Sequence, residues 1–185
     1  FYRSVDTIDQ TLESALSQTY ESIEFLLIDD GGNDGSLAKV QEMIQYHPRG
    51  IDVRIISHEH NMGVAASRNE IIDKAQGEFV YFLDSDDVVA ENAITLMMEN
   101  VLRYNAEIVF GSYEKVEVSG DKNIYQYPAI QLLGNDALAN YAYRKYAGIQ
   151  ASSCNFLVRS SLLREKGLRF INTNYWEDLV FTFDL

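Results

Sequence analysis

Two short runs, IEFLLI over residues 23–28 and FVYFL over residues 79–83, are apolar almost without interruption, and each stops at a string of aspartates. A strand with no polar face has to be covered on both sides. Between and around these runs the apolar residues change period. Ile8, Leu12, Ala15 and Leu16 follow helical spacing, as do Leu37, Val40 and Ile44 after Ser36, a candidate helix cap. Val64 to Ala75 reads as a helix stopped by Gly77, and Ile94, Met97, Met98, Val101 and Leu102 form a further stripe. Val53 to Ile56 and Ile108 to Phe110 supply two more strands. Repeated strand–helix units predict a parallel sheet covered on both faces, with right-handed crossovers.

After Gly111 the alternation ends. Tyr113 to Val118 and Ile124 to Tyr127 flank the turn Ser119-Gly120-Asp121 and read as a hairpin. Asp136 to Tyr146 reads as a helix, Phe156 to Val158 as a short strand, and Ser160 to Lys166 as a short helix ended by Gly167. The expected fold is therefore α/β. Its mostly parallel, Rossmann-like half covers residues 1–111, and a smaller mixed half covers 112–185 of a single domain.

Charge narrows the partners. Fifteen Lys and Arg against 28 Asp and Glu leave a net charge of -13, which repels nucleic-acid backbones and anionic lipid headgroups alike. A phosphate-bearing small substrate then needs a local cation: an arginine, a helix N-terminus or a divalent metal. One cysteine, Cys154, rules out an internal disulfide. No apolar run reaches the roughly 20 residues of a membrane span.

In open parallel sheets, ligands bind beyond the carboxyl ends of the strands. Asp29-Asp30 and Asp84-Ser85-Asp86-Asp87 follow the two clearest strands there. Carboxylates crowded together repel one another unless a positive group sits among them. Residues i and i+2 of an extended segment, such as Asp84 and Asp86, can both turn to one ligand, and oxygen donors suit Mg or Mn. Asp is also an ordinary choice for loop starts and helix caps.

Four stretches in order resemble a family 2 glycosyltransferase of the GT-A fold: LLIDDGGNDGS (26–36), NMGVAASRN (61–69), GEFVYFLDSDD (77–87) and WEDLVF (176–181). The resemblance implies a metal-dependent, inverting transfer of a sugar from a nucleotide-sugar, UDP being the commonest carrier, to an acceptor hydroxyl. Glycan or lipid-linked acceptors of bacterial polysaccharide synthesis are implied, with a cytoplasmic site of action, peripheral at the inner face of the membrane. By the same resemblance Asp30 contacts the donor's base with Asp29 beside it, Arg68 lies near the nucleotide, and Asp84 approaches ribose or phosphates. Asp86 ligates Mn or Mg with Asp84 and Asp87, Asp178 is the general base, and Glu177 is its neighbour. Tyr2 packs near the base, and Trp176 is a candidate platform for the acceptor.

The chain departs from the family pattern at its start, where an apolar strand is expected and Phe1-Tyr2-Arg3 stands instead. The expectation is a fragment that lacks this first strand and later C-terminal segments, with two strand edges left unpaired. Gly32 replaces a serine and Ser67 an alanine, both read as tolerable. His58-x-His60 can be a metal pair or an ordinary loop pair, His47 reads as a helix end, and Cys154 as packed apolar surface. Tyr141, Tyr143 and Tyr146 can be core rings or sugar platforms. A non-catalytic relative that binds a nucleotide-sugar or glycan is the alternative. A phosphoryl-transfer domain is a third class, for which the partner residues are not found.

Overall fold

The computed structural model describes residues 1–134, 137–138, 140–141, 152–173 and 176–185, with the side chain of Phe183 left aside. The helix expected over 136–146, and with it Tyr143 and Tyr146, falls largely outside the described residues.

The elements run α1 (Ile8–Leu16), β1 (Phe25–Asp29), α2 (Ser36–Tyr46), a 3-10 turn (Gly50–Asp52), β2 (Val53–Ser57), α3 (Val64–Lys74) and β3 (Phe79–Tyr81). They continue with α4 (Ala93–Tyr104), β4 (Ile108–Phe110), β5 (Tyr113–Val116), β6 (Lys122–Tyr125), a second 3-10 turn (Ser153–Asn155), β7 (Phe156–Arg159), α5 (Ser160–Glu165) and α6 (Glu177–Asp184). The early elements thus follow the apolar periodicity, with strands a residue or two shorter or shifted.

The first half carries one parallel pair, with Phe25 opposite Val53 and Asp29 opposite Ser57. Its cover is α1 and α2. Ile8, Leu12 and Leu16, one turn apart, are buried with Phe25 and Val40, so the i, i+4, i+8 stripe becomes the contact face. The cap of α2 differs from expectation. Ser36 is the first helical residue, and Asp34 accepts both its N–H (3.1 Å) and its hydroxyl (2.6 Å). Gly35, at φ 98°, makes the left-handed turn that leads in.

The second sheet has the order β3-β7-β4. β7 pairs antiparallel with both neighbours, Val158 lying opposite Val80 on one side and Ile108 on the other. β3 and β4 therefore run in the same direction, as their crossover through α4 predicts, but they are not direct neighbours. A strand from the late half separates them, which local periodicity could not reveal. Alternation along β7 covers both faces. Phe156 and Val158 pack with Phe82, Phe170, Phe181 and Ile72, while Leu157 packs with Met97 and Val101 of α4. Phe170 and Phe181 stack at 3.8 Å, and Phe82 meets Phe170 edge-on at 5.3 Å.

β5 and β6 form the expected hairpin, with Tyr113 stacked on Tyr125 at 4.8 Å. β1 and β3 do not pair. A cavity of about 750 Å³ runs between them, lined below by Phe25–Ile28 and Phe79–Leu83 and open above to the acidic loops. Phe1 sits at its upper end, where its amino group donates to the Ile28 carbonyl and its carbonyl accepts from Asp30 N–H at 2.9 Å.

Candidate active site

Three loops meet above the strand ends because polar side chains cross between them. Val5 N–H donates to Asp34 (3.0 Å), Ser4 N–H donates to Ser36 Oγ (3.0 Å), and Lys39 Nζ donates to the Val5 carbonyl (2.9 Å). The loop after β3 is drawn in by Thr7 Oγ1, which donates to the Ser85 carbonyl (2.8 Å), and by Ser4 Oγ and Ser85 Oγ at 2.7 Å. Gly32 is needed at this junction: a Cβ there would lie 2.6 Å from Arg3 N. The glycine that stands in place of serine is thus required by the path of Arg3, not merely tolerated.

Arg68 of α3 is at the centre. It is 5% exposed, stacks over Phe170 at 5.2 Å, and holds two carboxylates. Its Nη2 donates to both oxygens of Asp84 (2.8 and 2.9 Å), and its Nη1 donates to Glu177 Oε1 (3.1 Å). Burial works against the guanidinium's charge, and the surrounding acidic groups, Asp84 foremost and Asp178 among them, together offset it, so its pKa is raised. A buried arginine of this kind is tolerable only with partners in place.

Asp30 is 4% exposed. Its Oδ1 accepts from His58 Nδ1 (2.7 Å) and from Met62 N–H (2.8 Å), and its Oδ2 accepts from Gly63 N–H (2.9 Å). Burial pushes its carboxyl up, and these donors overcome that, so its pKa is lowered. Asp29 turns back on its own loop, accepting from Gly31 N–H at 3.3 Å.

Glu177 and Asp178 open α6 and are partly buried. Carboxylates suit a helix N-terminus, yet these two also border the cavity. Burial and the charge of Glu177 push the Asp178 carboxyl up, while Arg68 opposes them. Trp176 precedes them in a left-handed conformation, is 70% exposed and does not line the cavity.

Asp84, Asp87 and Cys154 offer ligand atoms within 4.8 Å of one another, a grouping of at least three potential metal ligands among the described residues. Desolvation, then the charges of Asp84 and Asp86, push the Asp87 carboxyl up. Asp86 is exposed at the mouth, where Tyr2 also lies. The two carboxylates are hard oxygen donors that fit Mg or Mn. Cys154 does not fit such a set, since burial and the Asp84 charge push its thiol up and keep it protonated. Cys154 is therefore not apolar packing, as expected, but a neighbour of the acidic loop. Tyr81 hydroxyl donates to its carbonyl (2.6 Å) and fixes it there.

Of the residues singled out from sequence, Tyr2, Asp30, Arg68, Asp84, Asp86, Glu177 and Asp178 line one cavity; Asp29, Asp87 and Trp176 do not. His58 and His60 do not act as a pair: His58 is enclosed by carboxylates and His60 is exposed. Sequence reasoning gave His58 only as a metal or loop pair with His60 and assigned no role to Glu70, Asp34 or Phe170, whose partners lie far along the chain: Glu70 meets His58, Asp34 meets Val5 N–H and Phe170 meets Arg68.

Comparison with known proteins identifies the family and the fold. The chain is 28% identical to the cholesterol galactosyltransferase of Borreliella burgdorferi over its whole length, covering 53% of that relative. It is 32% identical to the Escherichia coli UDP-Glc:alpha-D-GlcNAc-diphosphoundecaprenol beta-1,3-glucosyltransferase WfgD over 61% of the chain and 43% of WfgD. The chain spans about half the length of these two relatives. Its fold matches S. aureus TarS 1-349 in complex with UDP-GlcNAc, with a TM-score of 0.75, 22% identity, 99% of this chain covered and 50% of TarS 1-349. The architecture is thus that of a GT-A glycosyltransferase. The family model described as glycosyl transferase family 2 matches residues 1–166, and on that match the chain belongs to glycosyl transferase family 2.

Proposed function

We propose that this chain forms the donor site and catalytic base of a divalent-cation-dependent, inverting glycosyltransferase that uses a UDP-sugar. The observation that carries the reading is the convergence of Asp30, Asp84, Asp86 and Asp178 on one cavity around Arg68. In a chain of net charge -13, carboxylates gathered here in excess of the Arg68 charge are costly unless a divalent cation belongs among them. UDP is favoured because WfgD and the TarS complex both carry it in their descriptions.

The residues divide the work. Asp30 offers its remaining acceptor capacity to the base of the nucleotide. Arg68 holds Asp84 on the donor side and Glu177 on the acceptor side in fixed register. Asp84 and Asp87, with Asp86 at the rim, would hold Mn or Mg, which supplies positive charge to the leaving diphosphate. Asp178 takes the proton of the acceptor hydroxyl as its oxygen bonds to the sugar's C1 and the bond from C1 to the diphosphate breaks. Glu177 is occupied by Arg68, whereas among the described residues no guanidinium hydrogen-bonds Asp178, and its raised pKa suits it to accept a proton. The acceptor is read as a lipid or lipid-linked glycan, since both relatives are named for such acceptors, and the site of action as the cytoplasmic membrane face. Among the described residues no helix is long and apolar enough to cross a membrane. The donor half (1–111) and acceptor half (112–185) are read as one domain.

Calorimetric titration with UDP, with and without Mn, tests the reading together with UDP-sugar turnover. Asp178→Asn is expected to leave UDP affinity within about threefold and to cut transfer by about 10²–10⁴-fold. Wild-type turnover is expected to fall as pH drops through the raised Asp178 value, because the base must be unprotonated. Failure of the wild-type chain to bind any nucleoside diphosphate, or full transfer by Asp178→Asn, would sink it.

A further inference from the structure

His58 follows β2, and its backbone N–H donates to the Asp29 carbonyl (2.8 Å). Its side chain is 7% exposed, and both ring nitrogens meet carboxylates: Nδ1 lies 2.7 Å from Asp30 Oδ1 and Nε2 lies 2.7 Å from Glu70 Oε2. Ionised carboxylates only accept, and a neutral imidazole has a single N–H. Only the imidazolium satisfies both contacts. Neutral His58 would turn a lone pair toward one carboxylate at hydrogen-bond distance.

The consequence reaches the site through Asp30. That carboxylate also accepts from Met62 and Gly63 N–H, so it pins the turn that begins α3. Asp30, Asn61 and Gly63 line the cavity. Of the roughly four acceptor positions on a carboxylate, three are taken by these donors, and one on Oδ2 remains for a ligand N–H. His58 touches no ligand position itself. It determines whether Asp30 stays ionised, correctly turned and able to accept.

We propose that His58, held by Glu70, is a positioning residue for the nucleoside end of the site, so that nucleotide affinity follows the charge on its imidazole. The inference rests on the nucleotide reading of the cavity. Its sign follows from the surroundings. Burial acts to lower the pKa of His58, but the hydrogen bonds and charges of Asp30 and Glu70 overcome it and raise it. The groups facing the ring are Asp30 from the end of β1 and Glu70 from α3; its chain neighbours Glu59 and His60 are exposed. The clamp is therefore complete below the ordinary histidine range and is lost as pH rises through the raised value. Nucleotide affinity falls with it.

Glu70→Gln tests this without touching the ligand. The amide oxygen still accepts from Nε2–H, but the charge is gone, so the imidazole titrates lower. NMR of the His58 ring measures its midpoint with no ligand present. Calorimetry measures UDP and GDP affinity with Mn on both sides of that midpoint. The variant-to-wild-type ratio cancels the nucleotide's own titration. The expected result is that Glu70→Gln lowers both midpoints together by about one pH unit. Affinities should be equal well below the midpoints and differ by roughly five- to tenfold at and above the wild-type midpoint. His58→Gln should weaken binding and flatten its pH profile. If UDP binds but its affinity ignores the His58 midpoint, the positioning role is overturned and the nucleotide reading stands. If neither UDP nor GDP binds the wild type at any pH, the nucleotide reading falls and takes this inference with it.

Discussion

Arg68 and Ser67 are chain neighbours with opposite fortunes. Every charged nitrogen end of Arg68 is matched by a carboxylate, whereas the Ser67 hydroxyl is buried with no hydrogen-bond partner. A buried donor left unpaired costs about 1–3 kcal/mol, so the serine is a deficit relative to alanine at this position. We expect Ser67→Ala to raise stability by about 1 kcal/mol, read as a higher denaturation midpoint with an unchanged slope. A lower midpoint would mean that the hydroxyl is satisfied in the folded chain, by water in the cavity it lines. Residue-scale chemistry of this sort was only partly open to sequence reading. The aspartate strings announced the acidic loops, but which aspartate is free and which is engaged depended on donors elsewhere in the chain. Asp29 and Asp30 are adjacent, yet one bonds its own loop and the other is gripped by His58 and the turn at residues 62 and 63.

At the scale of elements, β7 is the keystone of the second sheet. It carries hydrogen bonds to β3 and β4 and feeds side chains to both faces. Val158 is fully buried between Val80 and Ile108. Removing its two methyl groups leaves a cavity that a central strand cannot collapse, so Val158→Ala should cost about 2–3 kcal/mol in a denaturant titration. A cost below about 0.5 kcal/mol would show that the sheet does not depend on β7 packing. The helices were legible because apolar residues recur at their own period: Ile8, Leu12 and Leu16 were assigned to one face and are buried together. Strand partners were not. Periodicity states that 156–158 is extended and apolar, but it contains no term for the partner across a sheet, and β7 lies far along the chain from both strands it separates.

For the whole molecule the charge matters most. A net -13 on 185 residues makes the folded surface repel itself, and folding concentrates that charge. Raising NaCl from low to about 0.15 M shortens the Debye length to about 8 Å and should raise the melting temperature by a few degrees. A fall would mean that surface pairs such as Lys39–Asp9 and Arg169–Asp73 outweigh the repulsion. The same charge makes the cavity mouth the least comfortable region of the chain, since Asp84, Asp86 and Asp178 line it, with Asp87 beside Asp84 and Arg68 already engaged.

From the amino-acid order alone came the α/β class, the helical faces, the two acidic strand ends and the family resemblance, because all of these are written in short-range spacing. The folded chain alone decided the β3-β7-β4 order, the grip of Arg68 on Asp84 and Glu177, and the enclosure of His58 by Asp30 and Glu70. Those are contacts between distant segments, and their energies come from burial, which removes water as a competing partner and which no local pattern encodes.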